Sequence, residues 1–345
     1  MAATTNPLHG NHHPSDPTIS SQTFTIAGIL TTVYGLNEVS PSTKEVACLW
    51  LLHPRLQTQA TMGPIAAQAI HAWNKKNNDI RSQKALIAVS FDQRNHGSRL
   101  HTPLANEAWR QGNPSHAQDM FSSFSGTAHD TSLLITYLPA YVFNTPSSPP
   151  ITQHLALGVS LGGHAVWHSL LQDPRVTAGV VGIGCPDYTR VMTDRARLSK
   201  LKTWTESDVP GSTFLGSKDF PKALVDAIAR YDPAGSLTPG LPDTGELSPG
   251  QSAHFKKLLG ERLKGKRILN LAGADDKLVP YAAGAPFLKA FKKAITESPE
   301  LDIQLEDRSF DGVGHAFTKD MVAVSVNWIC GILSNGTASP VSSKI

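Results

Sequence analysis

Residues 155–171 read Leu-Ala-Leu-Gly-Val-Ser-Leu-Gly-Gly-His-Ala-Val-Trp-His-Ser-Leu-Leu, and their reading decides the fold. Leu155–Val159 is an apolar run of strand length, and Gly162–Leu171 carries apolar residues at helical spacing. Between them lies Gly158-Val159-Ser160-Leu161-Gly162, a G-x-S-x-G sequence. Such a pentapeptide means little alone. Set between a buried strand and a helix, it has the context that a nucleophile elbow requires. The two glycines permit a sharp turn and close approach of neighbouring elements. The serine is then thrust into the cleft at the carboxyl ends of the strands. There the Leu161 N–H, at the helix N-terminus, can stabilise an oxyanion. The bland alternative is a Gly/Ser turn that merely enters a helix.

The flanking sequence repeats the strand-then-helix pattern. Thr23–Ile29 and Leu30–Val39 alternate apolar and polar residues, as two opening strands do. Val46–His53 and Ala85–Phe91 are continuous apolar runs, suited to strands buried on both faces. Helices are expected at Gly63–Asn74 and within His116–Phe143, and a further strand at Val176–Ile183. Regularity breaks from Asp187 to about Gly265. Amphipathic pieces (Pro221–Arg230, Ser252–Leu263) flank a Pro/Gly-rich stretch, Asp232–Gly250, that reads as loop. Strand signals resume at Arg267–Leu271 and Leu301–Leu305, with helices at Ala283–Thr296 and from about Lys319 to Leu333. The alternation implies an α/β class, a mostly parallel doubly wound sheet with a lid inserted between late strands.

Composition narrows the function. The 345 residues carry 31 Lys and Arg against 28 Asp and Glu, a net charge of +3. The basic residues come singly or in pairs, so no nucleic-acid surface is expected. No apolar run nears the roughly 18 residues of a membrane-spanning helix. Cys48, Cys185 and Cys330 are widely spaced in apolar surroundings, reading as reduced core residues of an intracellular protein. No Cys/His cluster has metal spacing, and no metal or organic cofactor is implied.

A serine nucleophile needs a base and an orienting acid, in the chain order Ser, Asp or Glu, His for such a sheet. Gly273-Ala274-Asp275-Asp276-Lys277-Leu278-Val279-Pro280 follows a strand and offers two acids. Gly312-Val313-Gly314-His315-Ala316-Phe317 follows the last strand, and small neighbours leave His315 free to swing towards Ser160. The His315 alternative is an ordinary hydrogen-bonded loop histidine.

With these segments in place, residues 23–334 resemble the α/β-hydrolase superfamily. Its acid loop, G-x-x-D-x-x-V-P, implies Asp276 as the acid, with Asp275 as the alternative. Asp92-Gln93-Arg94-Asn95-His96-Gly97-Ser98-Arg99 resembles the stretch after the superfamily's fourth strand, closest to its dienelactone-hydrolase-like and peptidase-S9-like branches. It is structural there, so His96 is expected as scaffold, and His164 as a packed neighbour of the elbow. One departure concerns the oxyanion hole. Where relatives have His-Gly, this chain has His53-Pro54-Arg55-Leu56. Proline has no N–H, so the second donor would be Arg55 or Leu56. The Arg55 side chain reads as an exposed surface arginine, with contact to an anionic substrate group as the other reading.

The resemblance implies hydrolysis of an acyl ester or thioester through Ser160, His315 and Asp276. Acyl transfer by the same residues, or ligand binding without catalysis, are the alternatives. The expected partner is a small-molecule acyl substrate. Trp204, Phe214, Phe220 and Tyr231 in the lid suggest an apolar acyl pocket, or simply lid core. The wording of the 92–99 and 158–168 segments also resembles fungal α/β-hydrolases, among them peroxisomal ones of host-selective toxin pathways that build an epoxy-decatrienoic acid unit.

At the ends, residues 1–21 have no secretory pattern and read as a disordered polar tail; its His9, His12 and His13 could bind a metal only loosely. Residues 22–334 form the hydrolase domain, with the lid at about 187–265, and 335–345 form a second tail. That tail ends Ser343-Lys344-Ile345, close to the Ser-Lys-Leu peroxisomal address. It implies a peroxisomal import receptor as partner, with a cytoplasmic location as the alternative.

Overall fold

The apolar runs of the sequence become the central strands of a sheet that is covered on both faces. The computed structural model describes residues 6–10, 17–80 and 83–334. Among these residues eight strands form one sheet: β1 (Ser21–Ile26), β2 (Ile29–Tyr34), β3 (Glu45–Leu52), β4 (Lys84–Phe91), β5 (Ile151–Val159), β6 (Val176–Gly182), β7 (Arg267–Gly273) and β8 (Gln304–Phe310). Their spatial order is β1-β2-β4-β3-β5-β6-β7-β8. β2 pairs antiparallel with β1 and β4, and every other pair is parallel.

Helices α1 (Gly63–Ile80), α2 (His116–Tyr137), α3 (Pro139–Val142), α4 (Leu161–Gln172), α5 (Tyr188–Ser199), α6 (Lys202–Thr205), α7 (Lys222–Tyr231), α8 (Pro233–Leu237), α9 (Pro249–Arg262), α10 (Tyr281–Thr296) and α11 (Lys319–Ser334) surround it. Because side chains alternate along a strand, β3 serves two cores. Cys48, Trp50 and Leu52 join Phe124 of α2, Trp167 of α4 and Phe287 of α10. Ala47, Leu49 and Leu51 join Ile65 and Trp73 of α1 and Met321 and Ile329 of α11. The expected doubly wound sheet is observed.

Differences lie at boundaries. The first strand ends at Ile26, short of the expected Ile29, because Ala27 and Gly28 both take positive φ, 49° and 78°, as a tight hairpin turn demands. The second ends at Tyr34, before Gly35 at φ 87°. The last strand starts at Gln304, after a 3₁₀ turn at Pro299–Leu301. Its run Gln-Leu-Glu-Asp-Arg-Ser-Phe lies at the sheet edge, and its charged side chains hide it from an apolar reading. The irregular 187–265 stretch is largely helical. Within the expected loop 232–250, Asp232 caps the short α8 by accepting from the Gly235 N–H, and a Ser248/Gln251 capping box opens α9.

Residues 6–10 depart from the expected disordered tail. The Phe317 N–H donates to the Pro7 carbonyl at 2.8 Å, and Leu8 is buried in the core beside α1 and α11. An apolar side chain with a groove to fill outweighs the polar composition around it. His12, His13, the rest of 1–5 and 11–16, and the 335–345 tail with Ser343–Ile345 lie outside the described residues. Cys48, Cys185 and Cys330 are buried and unpaired. Among the described residues, no helix is long and apolar enough to cross a membrane.

Candidate active site

The turn between β5 and α4 is held in a conformation that the sequence around it is built to tolerate. Ser160 has φ 56° and ψ −111°, a strained geometry costing about 1–3 kcal/mol for a residue with a Cβ. Its N–H donates to the Gly182 carbonyl at 2.8 Å, which ties the turn to the end of β6. A Cβ on Gly158 would fall onto the Gly162 carbonyl, and one on Gly162 onto the Leu52 carbonyl. Both glycines are therefore needed for α4 to start so close to β3 and β5.

Ser160 Oγ lies 2.8 Å from His315 Nε2, and His315 Nδ1 lies 2.7 Å from Asp276 Oδ2. A carboxylate only accepts, so Nδ1 carries the proton and Nε2 is left to accept from the serine hydroxyl. Asp276 is buried. Its other oxygen accepts from the Leu278 and Val279 N–H groups at 2.8 and 2.9 Å, which fixes the carboxylate plane. Asp275 is exposed, and its N–H donates to the Val313 carbonyl at 2.9 Å. That bond ties the acid loop to the His315 loop. Of the two acids, the one facing the imidazole is thus Asp276.

Leu161 heads α4, and its N–H finds no acceptor among the described residues. Across the cleft, the loop after β3 is anchored by the buried His53 ring. Nδ1–H donates to the Pro54 carbonyl at 2.8 Å and Nε2 accepts from the Gln93 N–H at 2.9 Å. Burial holds this imidazole neutral, with a pKa lowered to about 4. The N–H groups of Arg55 and Leu56 find no acceptor among the described residues, and Leu56 takes φ 63°. The Arg55 side chain is half-buried, not the exposed surface arginine expected, and its Nη1 donates to the Asn106 carbonyl. The 3₁₀ turn Pro103–Asn106 brings that carbonyl to it, which sequence spacing cannot reveal.

The 92–99 loop bonds mainly to its own surroundings. Asp92 accepts from the Gln59 N–H at 2.8 Å and from Ser98 N–H and Oγ–H at 2.7 and 2.8 Å. Arg94 and Arg99 both reach Asp130 on α2. The His96 ring stands edge-on to His53, centroids 5.4 Å apart. His164 is buried against Phe124 with Nδ1 on the Cys185 carbonyl, and burial lowers its pKa to about 3. Neither His96 nor His164 hydrogen-bonds the Ser160 side chain among the described residues.

Three residues near the site carry no sequence signal. Arg195 on α5, His116 at the start of α2 and Trp109 just before it meet on one wall. Their positions come from the packing of α5 against α2, to which no local motif corresponds. The lid aromatics form mostly core: Phe214 and Phe220 are fully buried and pack on each other, while Tyr231 is exposed. A cavity of about 1060 Å³ adjoins Asp276 and is bounded by Arg190, Trp204, Leu241 and Pro286; Ser160 and His315 do not line it. No cluster of three or more metal-ligating side chains occurs among the described residues.

No family model matches the chain, and no curated protein matches it. Solved structures do. The chain is similar to TT1662 from Thermus thermophilus, with 16% identity and a TM-score of 0.53 over 90% of this chain and 97% of that one. It is also similar to the acylaminoacyl peptidase of Pyrococcus horikoshii, at 11% identity and a TM-score of 0.52. That match covers 96% of this chain but 43% of the peptidase, so the chain spans less than half its length. An acylaminoacyl peptidase in complex with Z-Gly-Gly-Phe-chloromethyl ketone matches at 12% identity and a TM-score of 0.51, over 95% of this chain and 43% of that one. The chain has the α/β-hydrolase fold.

Proposed function

We propose that this chain is a serine hydrolase that cleaves an acyl ester or thioester through an acyl-enzyme. The carrying observation is the hydrogen-bonded line from Ser160 Oγ through His315 to Asp276, at 2.8 and 2.7 Å. His315 Nε2 takes the serine proton as Oγ attacks the carbonyl carbon. Asp276 holds the tautomer and stabilises the imidazolium. The Leu161 N–H stabilises the oxyanion, with Arg55 or Leu56 supplying a second backbone donor. The imidazolium then gives that proton to the departing alcohol or thiol, leaving the acyl-enzyme. Water, deprotonated by the now neutral His315, adds to the acyl carbonyl and releases the acid, and the proton returns to Ser160 Oγ. The fold likeness to acylaminoacyl peptidases supports acyl chemistry at such a serine as a class.

Labelling with a fluorophosphonate tests this. The wild type should be labelled, and Ser160→Ala should not be. Labelling that persists in Ser160→Ala would move the nucleophile elsewhere, and an unreactive wild type would remove it. The resemblance to fungal enzymes extends the proposal to a polyunsaturated acyl intermediate of secondary metabolism, handled in the peroxisome. A reporter ending in residues 336–345 should be punctate and become diffuse without Ser343–Ile345; a diffuse signal from both rejects the address.

A further inference from the structure

On one wall next to the Asp276 loop, hydrogen-bond donors outnumber acceptors. Arg195 is half-buried. Its Nε and Nη2 both donate to the Leu278 carbonyl, at 3.3 and 3.0 Å. Its Nη1 faces His116 Nε2 at 3.3 Å and the Met120 sulfur at 3.0 Å. Arg55 spends one donor on the Asn106 carbonyl. Among the described residues no carboxylate lies within ion-pair distance of either guanidinium, and Glu107 acts on Arg55 only through its field. The Trp109 indole N–H, whose ring packs on His116 with centroids 5.0 Å apart, is buried and has no acceptor among the described residues.

This wall belongs to the site. Leu278, which holds Arg195 by its carbonyl, also donates its N–H to Asp276. Arg195 feels the charge of Asp276 and of Arg55. His116 stands within the field of both arginines; burial and those two charges push its pKa well down, so the imidazole is neutral and adds no charge. Burial, then the repulsion from Arg55, lowers the Arg195 pKa to about 10, which still leaves it charged at neutral pH. Withdrawing a cation from water with no acid beside it costs stability. An incoming oxyanion meets that cost with charge-assisted hydrogen bonds.

We infer that Arg55 and Arg195 bind an oxyanion, a carboxylate or a phosphate, carried by the substrate of Ser160. The inference rests on Ser160 being the nucleophile and names the class of acyl ester or thioester that it cleaves: an acidic one. Trp109 Nε1 supplies a neutral donor to the same group.

Two nitrophenyl esters with acyl groups of equal length, the hemiglutarate and the pentanoate, differ by the terminal carboxylate alone. The wild type should show a higher kcat/KM for the hemiglutarate. Arg195→Gln and Arg55→Gln should each cut that ratio roughly 10- to 100-fold, the range for a hydrogen bond to a charged group, while Arg195→Lys should keep more of it. Raising the salt concentration should erode the ratio in the wild type, a readout that needs no variant to fold. In parallel, glutarate or inorganic phosphate is titrated by calorimetry into Ser160→Ala protein. Glutarate binding assigns a carboxylate, and binding of phosphate alone assigns a phosphate. A wild type that takes fluorophosphonate yet prefers the pentanoate and binds neither anion, or that prefers the hemiglutarate and holds its ratio in both glutamine variants, overturns the oxyanion site and leaves the hydrolase standing. No labelling together with no anion binding overturns both.

Discussion

In the loop after β4, Arg94 and Arg99 converge on one carboxylate, Asp130, at 2.9 and 2.8 Å, and Arg99 adds the Asp92 carbonyl at 3.1 Å. In the loop after β3 and on α5, Arg55 and Arg195 stand within each other's field with carbonyls, sulfurs and a neutral imidazole for company. The first pair is complete within the chain, whereas the second is complete only with something added. The contrast separates charges that hold the 92–99 loop from charges that await a ligand. It also explains why a similar density of guanidinium groups carries two meanings: what matters is whether the acid is supplied by the protein.

The contrast can be broken at either end. Asp130→Asn should cause the largest loss, about 2–3 kcal/mol in urea unfolding. That lies below the 3–5 kcal/mol of a fully buried pair, because the Arg94 side chain is 48% exposed and can turn to water. A loss below about 0.5 kcal/mol would deny the 92–99 loop its structural role. Arg195→Met should change stability least, by no more than about 1 kcal/mol in either direction. The new thioether would sit beside those of Met120 and Met192, and no buried carboxylate would be stranded. A loss matching that of Asp130→Asn would make Arg195 part of the framework and remove the difference between the pairs.

Legibility in the sequence follows the range of the interactions involved. The buried strands are legible because covering both faces demands continuous apolar runs. The elbow is legible because only glycine tolerates the contacts at 158 and 162. That an acid and His315 should meet Ser160 is legible from loop position, whereas the preference for Asp276 over Asp275 comes only from the resemblance to the superfamily's acid-loop pattern. By contrast, β8 conceals itself as a polar edge strand, and residues 6–10 conceal a single buried leucine within polar text. The Arg55–Arg195–Trp109 wall is the least legible part. Its members come from three separate segments, and an arginine that lacks an acid looks the same in a sequence as one that has it.

The bond from the Phe317 N–H to the Pro7 carbonyl has a consequence for handling the protein. It fastens the loop of the proposed general base to a segment some three hundred residues away along the chain. A bulky fusion or a proteolytic nick near residue 10 would therefore act on the His315 loop, while the elbow, set between β5 and α4 and tied to the end of β6, would keep its shape. Loss of Pro7 and Leu8 would remove that bond and one buried core side chain together.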